Sequence, residues 1–280
     1  MPTGNVTRLY PPPAADLPLH GIYLAHDLRA LPDSQPFVYT NYITSLDGRI
    51  AIPHPARPGL TVPPQTANPR DWRLFQELAS QADILITSGR YLRDYGAGRA
   101  QEILDNSSNP EIADLHTWRT ARGLPPQPDL AVISASLDFP VPPALTAGGR
   151  RVIVFTTTAA DPARAADLSK VATVIPVGAA SVDGRELVEA LHALGYRLIC
   201  NATGPRVLHL LLAAGKLDRL YLTQANRLLG GSPFSSIVEG GLLAPSVDFR
   251  LNEIYLDPHA PGGPEQLFVS YNLAGALQGA

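Results

Sequence analysis

Short apolar runs rich in β-branched residues recur along this chain, alternating with stretches of helical periodicity, and that alternation restricts the fold more than any other feature. Such runs lie at 37–44, 84–86, 130–133, 152–156, 171–177, 196–200 and 217–223. Strands this short and this continuously apolar need burial on both faces, which a parallel sheet covered by helices provides. Between them, 68–81 places Trp72, Phe75, Leu78 and Ala79 on one helical face. Residues 183–194 do the same with Leu187, Leu191 and Leu194, and Gly195 closes that helix. A further, strongly apolar helix is expected over 204–214, and 253–257 with 267–273 read as an antiparallel pair. The expected fold is α/β, with a mostly parallel central sheet flanked by helices and an antiparallel C-terminal strand pair. Residues 1–35, Pro-rich at the start and without a clear period, are expected to form an N-terminal arm to a main domain over 36–280. The polar stretch 91–128 reads as an irregular lid or insertion.

Composition narrows the function. Charged residues are 17% of the total and the formal net charge is −3, without a basic run, so a nucleic-acid partner is not expected. Cys200 is the single cysteine, which excludes an intrachain disulfide and a Cys-based metal site. The seven histidines are scattered without metal-ligand spacing, so no metal is expected. The longest apolar run is far too short for a membrane span and no secretory leader is evident, which fits a cytoplasmic protein. A Gly-x-Ser-x-Gly elbow is missing, and Gly96-x-Gly98 lacks the third glycine of a dinucleotide fingerprint.

In an open α/β sheet, ligands bind outside the carboxyl ends of the strands. Four such ends carry suggestive residues: 44–48, 87–90, 134–136 with 156–158, and 202–205. Thr203 and Gly204, followed by Pro205, start a helix whose free N–H groups suit a phosphate; they equally suit an ordinary N-cap. Gly89 and Arg90 follow a strand, and Arg90 is either an anion partner or a solvated turn residue. Thr156, Thr157 and Thr158 can bind a phosphate or simply end a strand. Asp47 offers a carboxylate at a strand end, or makes an Asp-Gly turn.

The segment Thr44-Ser45-Leu46-Asp47-Gly48-Arg49-Ile50-Ala51 resembles the first strand-and-loop signature of the riboflavin-biosynthesis pyrimidine reductases. Ala82-Asp83-Ile84-Leu85-Ile86-Thr87-Ser88-Gly89 is similar to a second block of that family, and Leu211-Leu212-Ala213-Ala214-Gly215-Lys216-Leu217-Asp218-Arg219-Leu220 to a third. The run continues to Leu228-Leu229-Gly230-Gly231 without a gap. The resemblance implies a dihydrofolate-reductase-like fold, NADPH as hydride donor, a small-molecule substrate and a homodimer. The implied reaction reduces a ribosylamino-pyrimidine phosphate at the sugar carbon to a ribitylamino product. Carried onto this sequence, it puts the nicotinamide near Thr44, Ser45 and Asp47, with Ser88, Gly89 and Arg90 beside it. The 2′-phosphate and adenine fall near Ser134, Thr156, Thr157 and Thr158, and the pyrophosphate at Thr203 and Gly204. Asn41, Asp47 and Ala202 fall on the substrate side, with Asp47 as the catalytic charge. Asn41 stands where the family often has Lys, Ala202-Thr203-Gly204 where it has Glu-Gly-Gly, and Tyr95-Gly96 where it has Asn-Pro. Three readings therefore stay open: a reductase of this or another pyrimidine- or pterin-like substrate, a nucleotide-binding protein of the same fold without catalysis, and a different α/β enzyme such as a nucleotide-binding transferase. The Cys-His zinc motif of the fused deaminase half is absent.

Overall fold

The structure, a computed structural model, describes residues 4–274 apart from 33, 57 and 106–108. In sequence order the strands are β1 (Asn5–Tyr10), β2 (Ala15–Pro18), β3 (Phe37–Ser45), β4 (Ile52–Pro53), β5 (Leu60–Thr61), β6 (Ile84–Ser88), β7 (Asp129–Ile133), β8 (Val152–Thr156), β9 (Thr173–Pro176), β10 (Leu198–Asn201), β11 (Arg219–Ala225), β12 (Phe249–Asp257) and β13 (Gln266–Leu273). The helices are α1 (Pro69–Gln81), α2 (Gly89–Gly96), α3 (Ala113–Ala121), α4 (Pro162–Leu168), α5 (Gly184–Ala193) and α6 (Pro205–Ala213). All strands but the small β4–β5 hairpin join one sheet in the order β2-β1-β12-β13-β11-β3-β10-β6-β7-β8-β9. The seven strands from β11 to β9 run parallel, and β13, β12, β1 and β2 extend the sheet by antiparallel pairing. This is the expected α/β architecture with its antiparallel β12–β13 pair.

Alternate residues of the parallel strands feed two cores. One face carries Tyr39, Leu85, Val132, Val154, Cys200 and Tyr221 against α1. The other carries Val38, Ile84, Ala131, Ile153, Ile199 and Leu220 against α5 and α6. Each such large apolar residue contributes about 1.5–3 kcal/mol by leaving water, which is why the apolar runs had no choice but to lie in mid-sheet.

Three local expectations are corrected. On α1 the buried residues are Leu74, Leu78 and Ala79 together with Arg70, Asp71, Arg73, Gln76, Glu77, Ser80 and Gln81, while Trp72 and Phe75 pack against each other, tilted, at the half-buried side. The cause is the N-terminal segment, which lies over α1 and needs hydrogen-bond acceptors there. Glu77 accepts from the N–H groups of Gly21 (2.6 Å), Tyr23 (3.0 Å) and Leu24 (3.3 Å), and Gln81 accepts from Leu28 N–H (3.0 Å). Residues 5–10 and 15–18 of that segment also pair into the main sheet. On α5, Leu187, Val188 and Leu191 are buried and Leu194 is exposed, because the helix ends before Leu194 can turn inward. The stretch 91–128 holds most of α2 and all of α3, the latter packed against α1.

Candidate active site at the carboxyl edge of the sheet

The strand registers bring the ends of β11, β3, β10, β6, β7 and β8 to one edge: Ala225 lies beside Ser45, Asn201 beside Thr40 and Ile86, Ser88 beside Ile133, and Ile133 beside Phe155. Every sequence-predicted site residue lies at this edge or just below it. Side-chain alternation divides them between the two faces. Asn41, Ala202, Ser134 and Thr156 follow the parity of the α1 face, whereas Thr44 and Ser88 follow that of the α5–α6 face. On the α1 face, high on six adjacent strands, Thr223, Asn41, Thr87, Ser134 and Thr156 form a row of polar residues interrupted by Ala202, above a largely apolar core.

Asp71 closes this band at the β3–β11 end. It sits in the first turn of α1, where Asn68 caps the helix by accepting from the N–H groups of Arg70 (3.1 Å) and Asp71 (3.0 Å). Asp71 is 9% exposed. Burial pushes its carboxyl up to about 6, against the opposing pull of neighbouring Thr223 and Asn41. Oδ1 of Asp71, Oδ1 of Asn41 and Oγ1 of Thr223 are all buried without a well-formed hydrogen bond among the described residues. Asp71, Asn41 and Thr223 thus face one another with part of their hydrogen-bonding capacity unused, as suits groups that could meet a ligand. Sequence reasoning missed Asp71 and Thr223. The Asn68-Pro69 helix start was legible, but an acid in a first turn is ordinary there, and its burial depends on strands far away in sequence.

Asp47 is the opposite case. Its carboxylate accepts from Ser45 Oγ (2.5 Å), Gly230 N–H (2.7 Å) and Leu229 N–H (3.2 Å), and pairs with Arg49 (2.5 Å). The Ser45 hydroxyl, then the Gly230 N–H, hold it down at about 2. Asp47 thereby pins residues 229–230 to the end of β3. Thr44 Oγ1 donates to the Ser45 carbonyl (3.0 Å) and is likewise turned to its own backbone.

Toward β7 and β8, Gly89 begins α2 against the loop that follows β7. A Cβ there would lie 2.6 Å from the Phe139 ring and 3.3 Å from Ser134 Oγ, so only glycine lets the two loops approach. Ser134 Oγ accepts from Leu137 N–H (3.1 Å). Arg90 is exposed and pairs with Asp94 on its own helix (3.5 Å). Thr156 Oγ1 is buried and has no partner among the described residues, Thr157 is buried, and Thr158 is exposed with its N–H bonded to the Gly178 carbonyl (3.0 Å).

Helix starts differ in the same way. The side chains of Asn68, Asp161 and Asp183 cap α1, α4 and α5, whereas α2 and α6 begin at Ser88 and Gly204 without such a cap. Space in front of Gly204 is open. The loop before it is rigid, since Thr203 Oγ1 donates to Asn201 Oδ1 (2.6 Å) and Tyr42 donates to the Thr203 carbonyl (3.0 Å). Such an uncapped helix start can accept a phosphate. Among the described residues no cluster of His, Cys, Asp and Glu could hold a metal ion, and no helix is long and apolar enough to cross a membrane.

A family model described as the RibD C-terminal domain matches residues 36–259. The chain is 24% identical over 245 residues to the 2,5-diamino-6-ribosylamino-4(3H)-pyrimidinone 5′-phosphate reductase of Methanothermobacter thermautotrophicus, a match that spans 86% of this protein and 100% of that one. It shares its fold with a pyrimidine reductase-like protein from Corynebacterium diphtheriae at a TM-score of 0.64 and 22% identity, over 88% of this protein and 96% of the other. It also resembles the riboflavin biosynthesis reductase of Saccharomyces cerevisiae at a TM-score of 0.53 and 15% identity, over 90% and 96%.

Proposed function

Since the chain belongs to the RibD C-terminal domain family, we propose that it is an NADPH-dependent reductase that converts a ribosylamino-pyrimidine phosphate to its ribitylamino product. The observation that carries this reading is the buried carboxyl of Asp71, near 6, beside Asn41 and Thr223. Reducing the ring-opened imine form of such a substrate adds a hydride to the sugar carbon, moves the π pair onto nitrogen and places a proton there. NADPH supplies the hydride when bound. The residues present fit it: the uncapped starts of α2 and α6 suit its phosphates, and the orphaned Thr156 hydroxyl suits its adenosine end. Gly204 lets the pyrophosphate approach, while Ser88 and Gly89 line the nicotinamide end and Ser134, Thr157 and Thr158 the far end.

Asp71 holds the proton. A carboxyl near 6 is protonated in roughly a tenth of molecules at pH 7, enough to act as a general acid without being locked in one state. Asn41 and Thr223 orient the nitrogen-bearing part of the substrate against it, and Ala202 leaves room for the substrate. Asp47 acts on position alone, by holding residues 229–230 at the end of β3. The homodimer implied by the family is part of the same reading and is checked by sedimentation.

The test is NADPH binding by fluorescence titration, followed by cofactor oxidation with 5-amino-6-(5-phosphoribosylamino)uracil and with 2,5-diamino-6-ribosylamino-4(3H)-pyrimidinone 5′-phosphate. Binding and turnover with either substrate are expected. Absence of binding at about millimolar cofactor overturns the reading. Tight NADPH binding without turnover on either substrate would instead favour a binding protein, for which Asn41 and Ala202 in place of charged family residues are the supporting feature.

A further inference from the structure

The helix start that carries Asp71 is held by a set of buried side chains that take no part in the proposed chemistry. The end of β12 and the start of β13 meet at the register pair Asp257–Gln266, and Gln266 lies beside Ala225 of β11 on its other side. Strand alternation turns Gln266 to the same face as Phe268, which belongs to the core under α1. There Asp257 Oδ2 accepts from Arg70 Nε (2.7 Å) and Gln266 Nε2 (2.9 Å), and Asp257 Oδ1 accepts from the His259 N–H (3.0 Å). Gln266 Oε1 accepts from Asn68 Nδ2 (2.9 Å), which also donates to the Thr66 carbonyl (3.0 Å). Asn68 Oδ1 in turn accepts from the N–H groups of Arg70 and Asp71. Asp257, Gln266 and Arg70 are 0%, 1% and 1% exposed. A continuous chain of hydrogen bonds therefore runs from the β12–β13 end to the backbone of Asp71.

A guanidinium and a carboxylate taken wholly out of water lose in hydration most of what their attraction returns, so such a pair fixes a register more than it stabilises a fold. Asn68 and Gln266 extend that register with amide groups, whose donors and acceptors are directional. The same strands carry the partner of the acid: Ala225, beside Gln266, stands two residues beyond Thr223, the hydroxyl that neighbours Asp71. We infer that Asn68, Arg70, Asp257 and Gln266 are positioning residues, which set the depth of Asp71 beside Thr223 and Asn41 and keep water from its carboxyl. Their bearing on turnover rests on the proposed role of Asp71. Burial, then Thr223 and Asn41, govern the titration of Asp71. Tyr23 of the N-terminal segment is the titratable group that interacts with it, and burial keeps that phenol protonated.

Difference infrared titration of the full-length protein reads the Asp71 carboxyl directly, its band being the one lost in Asp71→Asn. Gln266→Leu removes the link between Asn68 and Asp257. Asn68→Ser keeps a helix cap while losing the donor to Gln266, and serves if Gln266→Leu does not fold. In either variant the Asp71 midpoint is expected to fall by about one unit toward the ordinary carboxylate range, as water reaches the group. At pH 7 kcat should fall with it by about tenfold, since one unit removes about nine-tenths of the protonated acid. NADPH affinity in fluorescence titration should stay at the parent value. An unmoved midpoint in a folded variant overturns the inference, whatever thermal stability is lost. A midpoint that moves while Asp71→Asn keeps full turnover upholds the placement and removes instead the catalytic role given to Asp71.

Discussion

Asp47 and Asp71 lie near the same strand ends but were given very different surroundings. The Asp47 carboxylate has a hydroxyl, two backbone N–H groups and a guanidinium, and sits near 2. Asp71 has burial and two polar neighbours with idle atoms, and sits near 6. A carboxylate saturated with donors cannot give or take a proton near neutral pH, and it holds whatever donates to it. A buried carboxyl short of donors keeps its proton available and destabilises the fold when ionised. Under the proposed function, chemistry and architecture fall to different acids within one site.

The most severe way to break this contrast is Asp71→Asn. Turnover should fall by about 10²–10³, with NADPH affinity retained in fluorescence titration; unchanged turnover would return the catalytic charge to another group. The same variant has a stability signature. A carboxyl raised in the folded state contributes stability that is present below its unfolded value near 4 and is lost as pH rises through about 6. Asp71→Asn should therefore be more stable than the parent at pH 8 by on the order of 2–3 kcal/mol in urea denaturation, with the advantage vanishing below about pH 4.

Asn41→Asp sharpens the contrast. A second carboxyl beside Asp71 should shift the pH limb of kcat upward by about one unit, and a limb that stays put would separate Asn41 from Asp71. Asp47→Asn is expected to do least to turnover. KM should rise by roughly twofold to fivefold as the hold on 229–230 loosens, with kcat nearly kept. Because Asp47 is depressed in the folded state, its contribution to stability is present above about pH 4 and lost as pH falls toward 2; the variant should lack that part of the acid transition. A loss of kcat matching that of Asp71→Asn would erase the distinction drawn between the two.

Much of the carboxyl edge of the sheet was legible in the sequence. Gly89, Thr203 and Gly204 were readable because each follows an apolar run and precedes a helical one, and such junctions fall at the carboxyl edge of a parallel sheet. Which acid is buried was not legible. Asp47 stands in a turn motif at a strand end, which is where sequence reasoning looks, whereas Asp71 stands in a helix start that any surface helix could share. The polar side of α1 was misread for a related cause. Glu77 and Gln81 look like solvated positions until residues 21–28 arrive to use them as acceptors.

By itself the sequence determined the alternation of strand and helix, the parallel sheet and which residues gather at its carboxyl edge. Those follow from periodicity and turn chemistry, which act over a few neighbouring residues. Tertiary structure alone decided which carboxylate is half-buried and saturated with donors and which is buried with fewer of them. Burial and hydrogen-bond supply come from segments far apart in the sequence, so no local pattern records them.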